Sequence, residues 1–381
     1  MLTRNIELYQ ISNKKSFFLF GARSTGKSFW LKKTAPQNSL YLNLLDGDLY
    51  LRLTESTSIL KQIISTEKKD IIVIDEIQRI PELLNEVHSA IEDNPSLRFI
   101  LTGSSARKLK RSHANMLGGR ASLIHFYPLS YSEIPEFDLV RYLTYGGLPR
   151  TYLSEDPLSE LDSYLQTYID QEVRLEANLR NLAPFHRFLK TAALSNGELL
   201  NYANIASDAG VPASTVKEYY SILEDSLIGY TLEPWVESKK RKAITTAKFY
   251  FFDPGVCNYI TGAKSIERAS DLWGKNFEQF ILMELKSFLS YRQKRQKIYF
   301  WRSVNKQEVD FIIDDIVAIE VKSTKKTSRK HLAGLKALSE EKIISSYYLV
   351  SEDPINRTVE DQFQCLHWKT FLKRLWNNEI L

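Results

Sequence analysis

One short segment combines two glycines, a lysine and a hydroxyl residue at the spacing that phosphate binding requires. Residues 21–28 read GARSTGKS and fit the pattern G-x-x-x-x-G-K-[ST]. Glycines let backbone N–H groups turn toward phosphate oxygens, and the amino end of the following helix adds positive charge. We therefore expect Lys27 to reach the β- and γ-phosphates of a nucleoside triphosphate and Ser28 to ligate Mg²⁺. The predicted nucleotide-binding residues are Gly21, Ala22, Arg23, Ser24, Thr25, Gly26, Lys27, Ser28 and, from the segment described next, Asp75.

A pair of acids follows the apolar run that ends at residue 74. Asp75 and Glu76 come directly after four apolar residues, which is the Walker B pattern. In that pattern the aspartate holds Mg²⁺ through water, opposite the hydroxyl of the phosphate loop. Glu76, one residue further on, stands where a carboxylate can polarise the attacking water. An acid pair of this kind after a phosphate loop predicts hydrolysis as well as binding.

Two other segments carry candidates for contact with the terminal phosphate. The segment RFILTGSS ends in small hydroxyl residues, and ligands of open α/β sheets bind beyond the carboxyl ends of the strands. Ser104, or else Thr102, is therefore the candidate to sense the γ-phosphate, with a plain serine–glycine turn as the alternative. Arg120, on the corner LGGR, is a candidate arginine finger that reaches a neighbouring subunit. A solvated surface arginine is the alternative reading, and Arg107 and Arg111 are competing candidates.

Carboxylates and a lysine recur together in the last third of the chain. Asp310 and the triplet Glu320-x-Lys322 match the PD-(D/E)XK nuclease pattern, and Glu278 matches the further acid that many such sites use. This chemistry needs two carboxylates on Mg²⁺ and a lysine that positions water, so Asp310 and Glu320 are the predicted metal ligands here. Both must share one sheet face, which requires an odd-length loop or a bulge between their strands. A salt-bridged exposed strand is the alternative, and the same fold also serves as a DNA-binding or structural module.

A helix–turn–helix sequence precedes a basic segment in the middle of the chain. Residues 205–220 read as two short helices joined at Gly210, with Ser214 capping the second. Two strand candidates then flank a stretch without acids that runs from residue 238 to Lys248, and a hairpin in this place indicates a winged helix. Its predicted DNA-contact residues are Lys239, Lys240, Arg241 and Lys242. Backbone contacts fit this segment better than base readout, and a winged helix used only for protein contacts is the alternative.

The elements that must position these residues appear as apolar runs alternating with helical patterns. Alternation of this kind indicates βαβ units and a parallel sheet. The strand candidates are Phe17–Phe20, Leu40–Leu44, Ile71–Asp75, Arg98–Thr102 and Ser122–Phe126. The expected fold class is α/β, with a P-loop parallel-sheet core at 1–130, a helical lid at 131–183, a winged-helix domain at 184–255 and a mixed α/β restriction-endonuclease-like domain at 256–381.

Composition narrows the class of protein. The chain has 381 residues, 43% of them apolar, and a formal net charge of +5, so a mild basic excess argues only weakly for nucleic acid. The two cysteines, Cys257 and Cys365, lie far apart, which argues against a disulfide framework or a cysteine-rich zinc site. No signal-peptide core and no apolar run of membrane-spanning length is present. We predict a cytoplasmic protein without a membrane partner.

Residues 17–150 resemble the AAA+ class of P-loop ATPases. The pieces GARSTGKS, IIVIDEIQRIP, FILTGSS, LGGR, YPLSYSE and YGGLPR are similar, in this order, to a bacterial and archaeal family that joins an AAA-type ATPase to a C-terminal domain of unknown function. The resemblance implies ATP and Mg²⁺ as cofactors and a homo-oligomer, for which a hexameric ring is expected. A core, a lid and a winged helix also follow one another in the bacterial Holliday-junction branch-migration motor, which is an analogy of architecture.

Three functions are consistent with these features. The first is an oligomeric ATPase that acts on duplex or branched DNA, with the winged-helix and nuclease-like domains as DNA contacts. The second is a switch ATPase of the signal-transduction type, in regulation or defence. The third is an ATP-gated, Mg²⁺-dependent DNA nuclease. Turnover stimulated by DNA, turnover indifferent to DNA, and cleavage abolished by Glu320→Ala are the respective discriminating results.

Overall fold

In a computed structural model, which describes residues 2–8, 15–105, 117–169, 182–268 and 270–381, the five strands expected near the amino terminus form one parallel sheet. They are β1 (Ser16–Phe20), β2 (Ser39–Asn43), β3 (Ile71–Asp75), β4 (Arg98–Gly103) and β5 (Ala121–His125). Their order across the sheet is β2-β3-β4-β1-β5. The three central strands are buried almost throughout, as expected for parallel strands covered by helices on both faces. The predicted parallel-sheet core is therefore confirmed.

The strand order determines which loops meet. β4 lies between β1 and β3, so the segments that follow all three strands share the carboxyl edge of the sheet. The helices of this region are α1 (Lys27–Thr34), α2 (Gly47–Glu55), α3 (Ile59–Glu67) and α4 (Leu83–Asp93), with 3₁₀ turns at Ile77–Arg79 and Leu117–Gly119. Arg107 and Arg111, the competing finger candidates, lie outside the described residues.

Helices dominate the middle of the chain. They are α5 (Leu139–Tyr145), α6 (Pro149–Leu153), α7 (Pro157–Tyr164), α8 (Ala183–Leu194), α9 (Tyr202–Ala209) and α10 (Ala213–Asp225), with a 3₁₀ turn at Tyr131–Glu133 and a π-helix at Leu165–Ile169. Gly210 adopts a left-handed conformation (φ 66°) between α9 and α10, which confirms the predicted turn. The predicted cap was wrong, because Pro212 precedes α10 and Ser214 lies inside it.

Two short strands follow the helix–turn–helix and pair in antiparallel fashion. They are β6 (Gly229–Leu232) and β7 (Lys248–Phe251). The segment between them does not end in a free hairpin tip. Trp235 N–H donates to the carbonyl of Phe300 (2.6 Å), and Ile244 N–H donates to that of Arg302 (2.9 Å), so the segment extends the edge of the next sheet. The winged-helix assignment stays a prediction.

The last third of the chain contains a six-stranded mixed sheet of order β12-β13-β11-β10-β9-β8. Its strands are β8 (Ile298–Arg302), β9 (Glu308–Ile313), β10 (Val317–Lys322), β11 (Ser346–Ser351), β12 (Arg357–Val359) and β13 (Phe363–His367). Its helices are α11 (Pro254–Thr261), α12 (Asp271–Tyr291), α13 (Ala333–Ser339) and α14 (Trp368–Trp376), with a 3₁₀ turn at Arg329–Leu332. Ile313 pairs with Val317, so the connection between β9 and β10 has three residues and the predicted odd length is confirmed.

The 21-residue helix α12 packs against all three regions. Its Ser290 hydroxyl exchanges hydrogen bonds with the backbone N–H and carbonyl of His125 in the first sheet (2.9 Å each). Its Asn276 amide donates to the carbonyl of Leu143 in α5 (3.0 Å), and its apolar side chains belong to a core that includes Phe17 and Phe311. The parallel sheet and the C-terminal sheet are thus joined by helix α12. Among the described residues no helix, α12 included, is both long and apolar enough to cross a membrane.

Candidate active site

The segment 21–28 wraps the carboxyl end of β1 and leads into α1. Gly21 is required because a Cβ there would lie 2.1 Å from the carbonyl oxygen of Phe126. Gly26 has φ 92°, a left-handed conformation that strains other residues. The ammonium of Lys27 is buried and donates to the carbonyls of Gly21 (2.6 Å) and Ala22 (3.0 Å). The loop therefore curls around the lysine that the sequence assigns to phosphate.

Asp75, at the end of β3, is a buried carboxylate held by hydroxyl groups. Ser28 Oγ donates to its Oδ1 (3.1 Å), Tyr41 donates to its Oδ2 (2.7 Å), and Thr102 forms a short bond to Oδ1. Burial, followed by the neighbouring carboxylates of Asp75 and Glu76, raises the pKa of Tyr41, so this hydroxyl keeps its proton and remains a donor. The predicted pairing of Ser28 with Asp75 across the site is present.

Glu76 and Ser104 face each other across the same edge. Glu76 adopts a left-handed conformation (φ 65°), and its N–H donates to Thr102 Oγ1 (3.1 Å). The side-chain amide of Gln78 donates to the Glu76 carboxylate and also to Ser104 Oγ (3.1 Å). Thr102, the second candidate for the sensing residue, forms hydrogen bonds with Asp75 and with the N–H of Glu76. Ser104 is linked to the Glu76 carboxylate through Gln78.

The oxygen donors at this edge suit a magnesium–nucleotide complex. Mg²⁺ prefers carboxylate and hydroxyl oxygens, and Ser28 with Asp75 supplies one of each at 3.1 Å. Lys27 brings an ammonium to the same loop, and Glu76 brings a carboxylate. Lys27, Ser28, Asp75, Glu76 and the neighbouring hydroxyls can together bind a triphosphate and accept a proton from water.

Arg120 does not join this group. It precedes β5, and Ala121 pairs with Ser16 at the start of β1, whereas the phosphate loop follows the end of β1. The five residues of β1 separate the two edges by about 16 Å. The Arg120 side chain is 40% exposed and forms an ion pair with Glu92 (2.5 Å). It therefore lies on the surface, at the edge opposite the loop.

An arginine near the amino terminus ties the phosphate loop to the long helix α12. The buried guanidinium of Arg4 donates to the carbonyl of Thr25 (3.4 Å), to that of Tyr127 (2.5 Å) and to the hydroxyl of Tyr291 (2.8 Å). It also pairs with the buried carboxylate of Glu133 (3.2 Å). Arg4 therefore contacts both the phosphate loop and the carboxyl end of α12.

A second cluster of charges lies on the C-terminal sheet. Extending the β9–β10 register by one residue places Asp310 opposite Glu320, so the two carboxylates share a face. The Lys322 ammonium lies 2.6 Å from Glu320 Oε1 and 3.6 Å from Asp310 Oδ2. Burial, and then Asp310, raises the pKa of Glu320, whose Oε2 is buried without a hydrogen-bond partner. The predicted grouping of Asp310, Glu320 and Lys322 is present, while metal binding there stays a prediction.

Burial, and then Asp310, raises the pKa of Glu278, so this acid lies beside the pair, and its role as a further acid of the site stays a prediction. Its carboxylate accepts a hydrogen bond from Tyr250 and lies 3.7 Å from the ammonium of Lys248, which also pairs with Glu308 (2.6 Å). Within the described residues, no group of three or more His, Cys, Asp or Glu side chains is arranged to hold a metal ion. Lys248, which follows the basic segment in the sequence, belongs to β7 and lies in this buried cluster.

The basic segment is anchored to α13 and the residues after it. The carboxylate of Glu341 accepts the backbone N–H groups of Lys239 and Lys240 (2.9 Å each). Arg241 pairs with Glu340 (2.8 Å) and donates to the carbonyl of Ala337 in α13 (2.9 Å). Arg241 is therefore engaged within the protein, and its predicted contact with DNA stays a prediction. The side chains that remain exposed here are those of Lys239, Lys240 and Lys242.

Sequence motifs missed several residues of these clusters. Tyr41 reaches Asp75 only because β2 neighbours β3, and a strand order is not written in a local pattern. Arg4 and Lys248 likewise act through contacts far along the chain. Gln78 stands in the mixed segment DEIQRIP, where no local pattern marks its side chain as buried.

Comparisons with known proteins agree with the first of these sites and leave the second open. Residues 13–135 match a family described as an AAA domain, which contains the phosphate loop, Asp75 and Glu76. Residues 136–267 and 273–371 match two domains of unknown function, DUF8612 and DUF4143.

Two similar proteins cover most of the chain. An uncharacterized protein of Haemophilus influenzae is 25% identical over 337 residues, which is 79% of this chain and 80% of that protein. Uncharacterized protein MJ1544 of Methanocaldococcus jannaschii is 23% identical over 347 residues, which is 82% of this chain and 75% of that protein. Neither name states an activity. The AAA domain match supports an AAA-type ATPase, with a nucleotide as its ligand.

Proposed function

We propose that the chain hydrolyses ATP with Mg²⁺ at the carboxyl edge of its parallel sheet and uses the turnover to act on DNA. The observation that carries hydrolysis is the convergence of Lys27, Ser28, Asp75 and Glu76 at one edge, inside the segment that matches an AAA domain. A binding-only loop has no need for a carboxylate beside the one that faces the loop hydroxyl. Glu76 is that additional carboxylate.

Each side chain has a distinct part in the reaction. The Lys27 ammonium and the loop N–H groups bind the β- and γ-phosphates. Three hydroxyls hold the Asp75 carboxylate in place, and Mg²⁺ bound beside it supplies positive charge to the phosphate oxygens. Glu76 takes a proton from the attacking water, and the oxygen of that water bonds to the γ-phosphorus. The bond between the γ-phosphorus and the bridging oxygen breaks, and ADP leaves. The Ser104 hydroxyl donates to the transferring phosphoryl group.

Arg120 supports the proposal of a ring-forming homo-oligomer. It lies about 16 Å along β1 from its own phosphate loop, so a role in hydrolysis requires the nucleotide of another copy. Its partner Glu92 is half exposed, and a surface ion pair of this kind is held weakly enough to exchange. Arg120 as the finger of a hexameric ring belongs to this proposal.

Exposed lysines and arginines at both ends of α13 support DNA as the partner. Lys239, Lys240 and Lys242 lie near its carboxyl end, where Glu340 and Glu341 anchor their segment. A second set, exposed before its amino end, comprises Lys325, Lys326, Arg329 and Lys330. The seven residues of α13 span about 10 Å, so both sets can lie along one phosphate backbone.

The test is the rate of ATP hydrolysis by the full chain, with Mg²⁺ or with EDTA, alone and with duplex, single-stranded or four-way DNA. We expect Mg²⁺-dependent turnover that DNA stimulates. Lys240→Ala/Lys242→Ala should weaken DNA binding and lower its salt slope by about two, whereas Lys190→Ala/Lys264→Ala, which also removes two exposed lysines, should not.

Other outcomes separate the competing functions. If no DNA binds the protein or changes its rate of ATP hydrolysis, DNA is excluded as the partner and the switch ATPase remains. Mg²⁺-dependent cleavage of the same DNAs, lost in Glu320→Ala but retained in Glu76→Gln, assigns a nuclease to the C-terminal cluster, where Lys322 must then release a carboxylate. Absence of Mg²⁺-dependent turnover contradicts ATP hydrolysis itself.

A further inference from the structure

Gln78 is a buried polar residue that no motif assigns to the reaction. It lies in the 3₁₀ turn after Glu76 and is 6% exposed. Its side-chain Nε2 donates to Glu76 Oε2 and to Ser104 Oγ, the latter at 3.1 Å. A primary amide has two N–H donors, so each donor of Gln78 goes to a different group of the candidate active site.

The backbone is shaped to bring this amide over the end of the central strand. The left-handed conformation of Glu76 reverses the chain, so that Gln78 returns beside the residues that follow β4. Gly103 leaves space for the Gln78 side chain, because a Cβ at position 103 would lie 2.6 Å from Gln78 Oε1. The local fold therefore provides for a side chain of this length at this point.

A packing role does not account for an amide here. Gln78 Oε1 is buried without a hydrogen-bond partner, which is an unfavourable state for a polar atom. A leucine or methionine would fill comparable space without that disadvantage. The feature that distinguishes glutamine from both is its pair of N–H donors, and both are used on Glu76 and Ser104.

We infer that Gln78 is a positioning residue for ATP hydrolysis, which fixes the Glu76 carboxylate and turns the Ser104 hydroxyl proton toward the phosphate. One carboxylate oxygen of Glu76 accepts from Gln78, and the other oxygen is the one that takes the proton from water. Because Ser104 Oγ accepts from Gln78, its own O–H points away from the amide. The inference rests on the proposed ATPase function and adds a residue that couples the base to the phosphate sensor.

The experiment compares Gln78→Ala and the isosteric Gln78→Glu with wild type. Loss of a hydrogen bond to a charged group predicts a fall of kcat by about tenfold or more, with KM and ADP affinity within twofold of wild type. Gln78→Glu places a second carboxylate against Glu76, so its kcat should fall at least as far as that of Gln78→Ala. Gln62→Ala, on the exposed face of α3, is the matched control and should leave kcat unchanged.

A double-mutant cycle separates positioning from packing. If Gln78 acts through Glu76, adding Gln78→Ala to Glu76→Gln lowers kcat much less than it does in wild type. Full additivity overturns the inference, as does a kcat within twofold of wild type in Gln78→Glu. A fall in melting temperature with kcat per folded molecule unchanged overturns it too. Wild type without Mg²⁺-dependent turnover refutes the proposed function itself, which is a distinguishable result.

Discussion

The two charged clusters of this protein hold their buried carboxylates in different ways. Asp75, at the phosphate loop, is held by the hydroxyls of Ser28, Tyr41 and Thr102. On the C-terminal sheet, Lys322 contacts Asp310 and Glu320, and Lys248 contacts Glu278 and Glu308. This second cluster also has neutral donors, the hydroxyl of Tyr250 and the N–H of Val321, but it adds ammonium groups to them.

This difference affects how readily each cluster can bind a divalent cation. A divalent cation can join Asp75 without displacing a positive charge, because hydroxyls rotate and can themselves ligate. A cation at Glu320 has to compete with the ammonium of Lys322 at 2.6 Å. Lys248, moreover, comes from β7 and ends among acids of α12 and β9. We interpret the first cluster as the site of turnover and the second as a charged joint between the middle region and the C-terminal sheet.

The largest expected effect is on the second cluster. Lys248→Ala leaves Glu278 and Glu308 facing a buried space without their ammonium, and breaking a buried pair from one side costs about 3–5 kcal/mol of unfolding free energy. Lys322→Ala should cost less, because its side chain is 37% exposed. Denaturant unfolding of both variants, with the exposed Lys264→Ala as control, measures this. Equal stability of Lys248→Ala and the control would refute the interpretation of the second cluster as a charged joint.

A further buried carboxyl group sharpens the comparison, because its donors within the described part of the chain are N–H groups and not hydroxyl or ammonium groups. Glu284 of α12 accepts from the N–H of Tyr131 (2.5 Å) and from the indole of Trp376 (2.9 Å). Burial, partly offset by these two N–H donors, raises the pKa of Glu284 to about 8. Glu284 therefore differs from both clusters, because it is buried in its protonated, uncharged form.

The raised pKa of Glu284 predicts a pH-dependent stability. The unfolded chain releases this proton near pH 4.5, whereas the folded protein keeps it to about pH 8. The unfolding free energy contributed by Glu284 is therefore complete at low pH and is lost as the pH rises through that window. Unfolding curves between pH 5 and pH 8 should show a shallower decline for Glu284→Gln than for wild type or for the exposed Glu82→Gln. Identical slopes would show that Glu284 is charged in the folded protein.

The smallest expected effect concerns the hydroxyl group that the motifs did not reveal. Tyr41→Phe removes one of three donors to Asp75, and Ser28 and Thr102 still hold the carboxylate. We expect ATP hydrolysis to slow by less than about tenfold, in line with one hydrogen bond among several. Steady-state rates measure it, with Tyr299→Phe as the control. A loss as large as that expected for Glu76→Gln would mean that Tyr41, and not only the motif residues, determines the geometry at Asp75.

Local sequence predicted what local chemistry determines. The phosphate loop and the acid pair follow from fixed spacings, and the five strands follow from apolar runs, so the structure shows them where they were expected. The odd connection between Asp310 and Glu320 was also accessible, since strand periodicity decides which residues share a face.

Contacts between distant segments were out of reach. Lys248 and Arg241 stand close together in a basic run, yet Lys248 is buried among acids and Arg241 pairs with Glu340. Their partners belong to elements tens of residues further along the chain, and charge patterning describes only neighbours. Arg4 and Tyr41 were missed for the same reason, because their contacts depend on which strands and helices pack together.

The central claim is tested most directly by ATP hydrolysis in wild type and Glu76→Gln with Mg²⁺, with ATP binding measured in parallel. The substitution keeps the size of the side chain and removes the base. We predict that wild type turns over ATP, while Glu76→Gln binds ATP as tightly and hydrolyses it about 10²–10⁴-fold more slowly. Equal turnover by the two proteins, or a wild type without Mg²⁺-dependent turnover, would contradict the account.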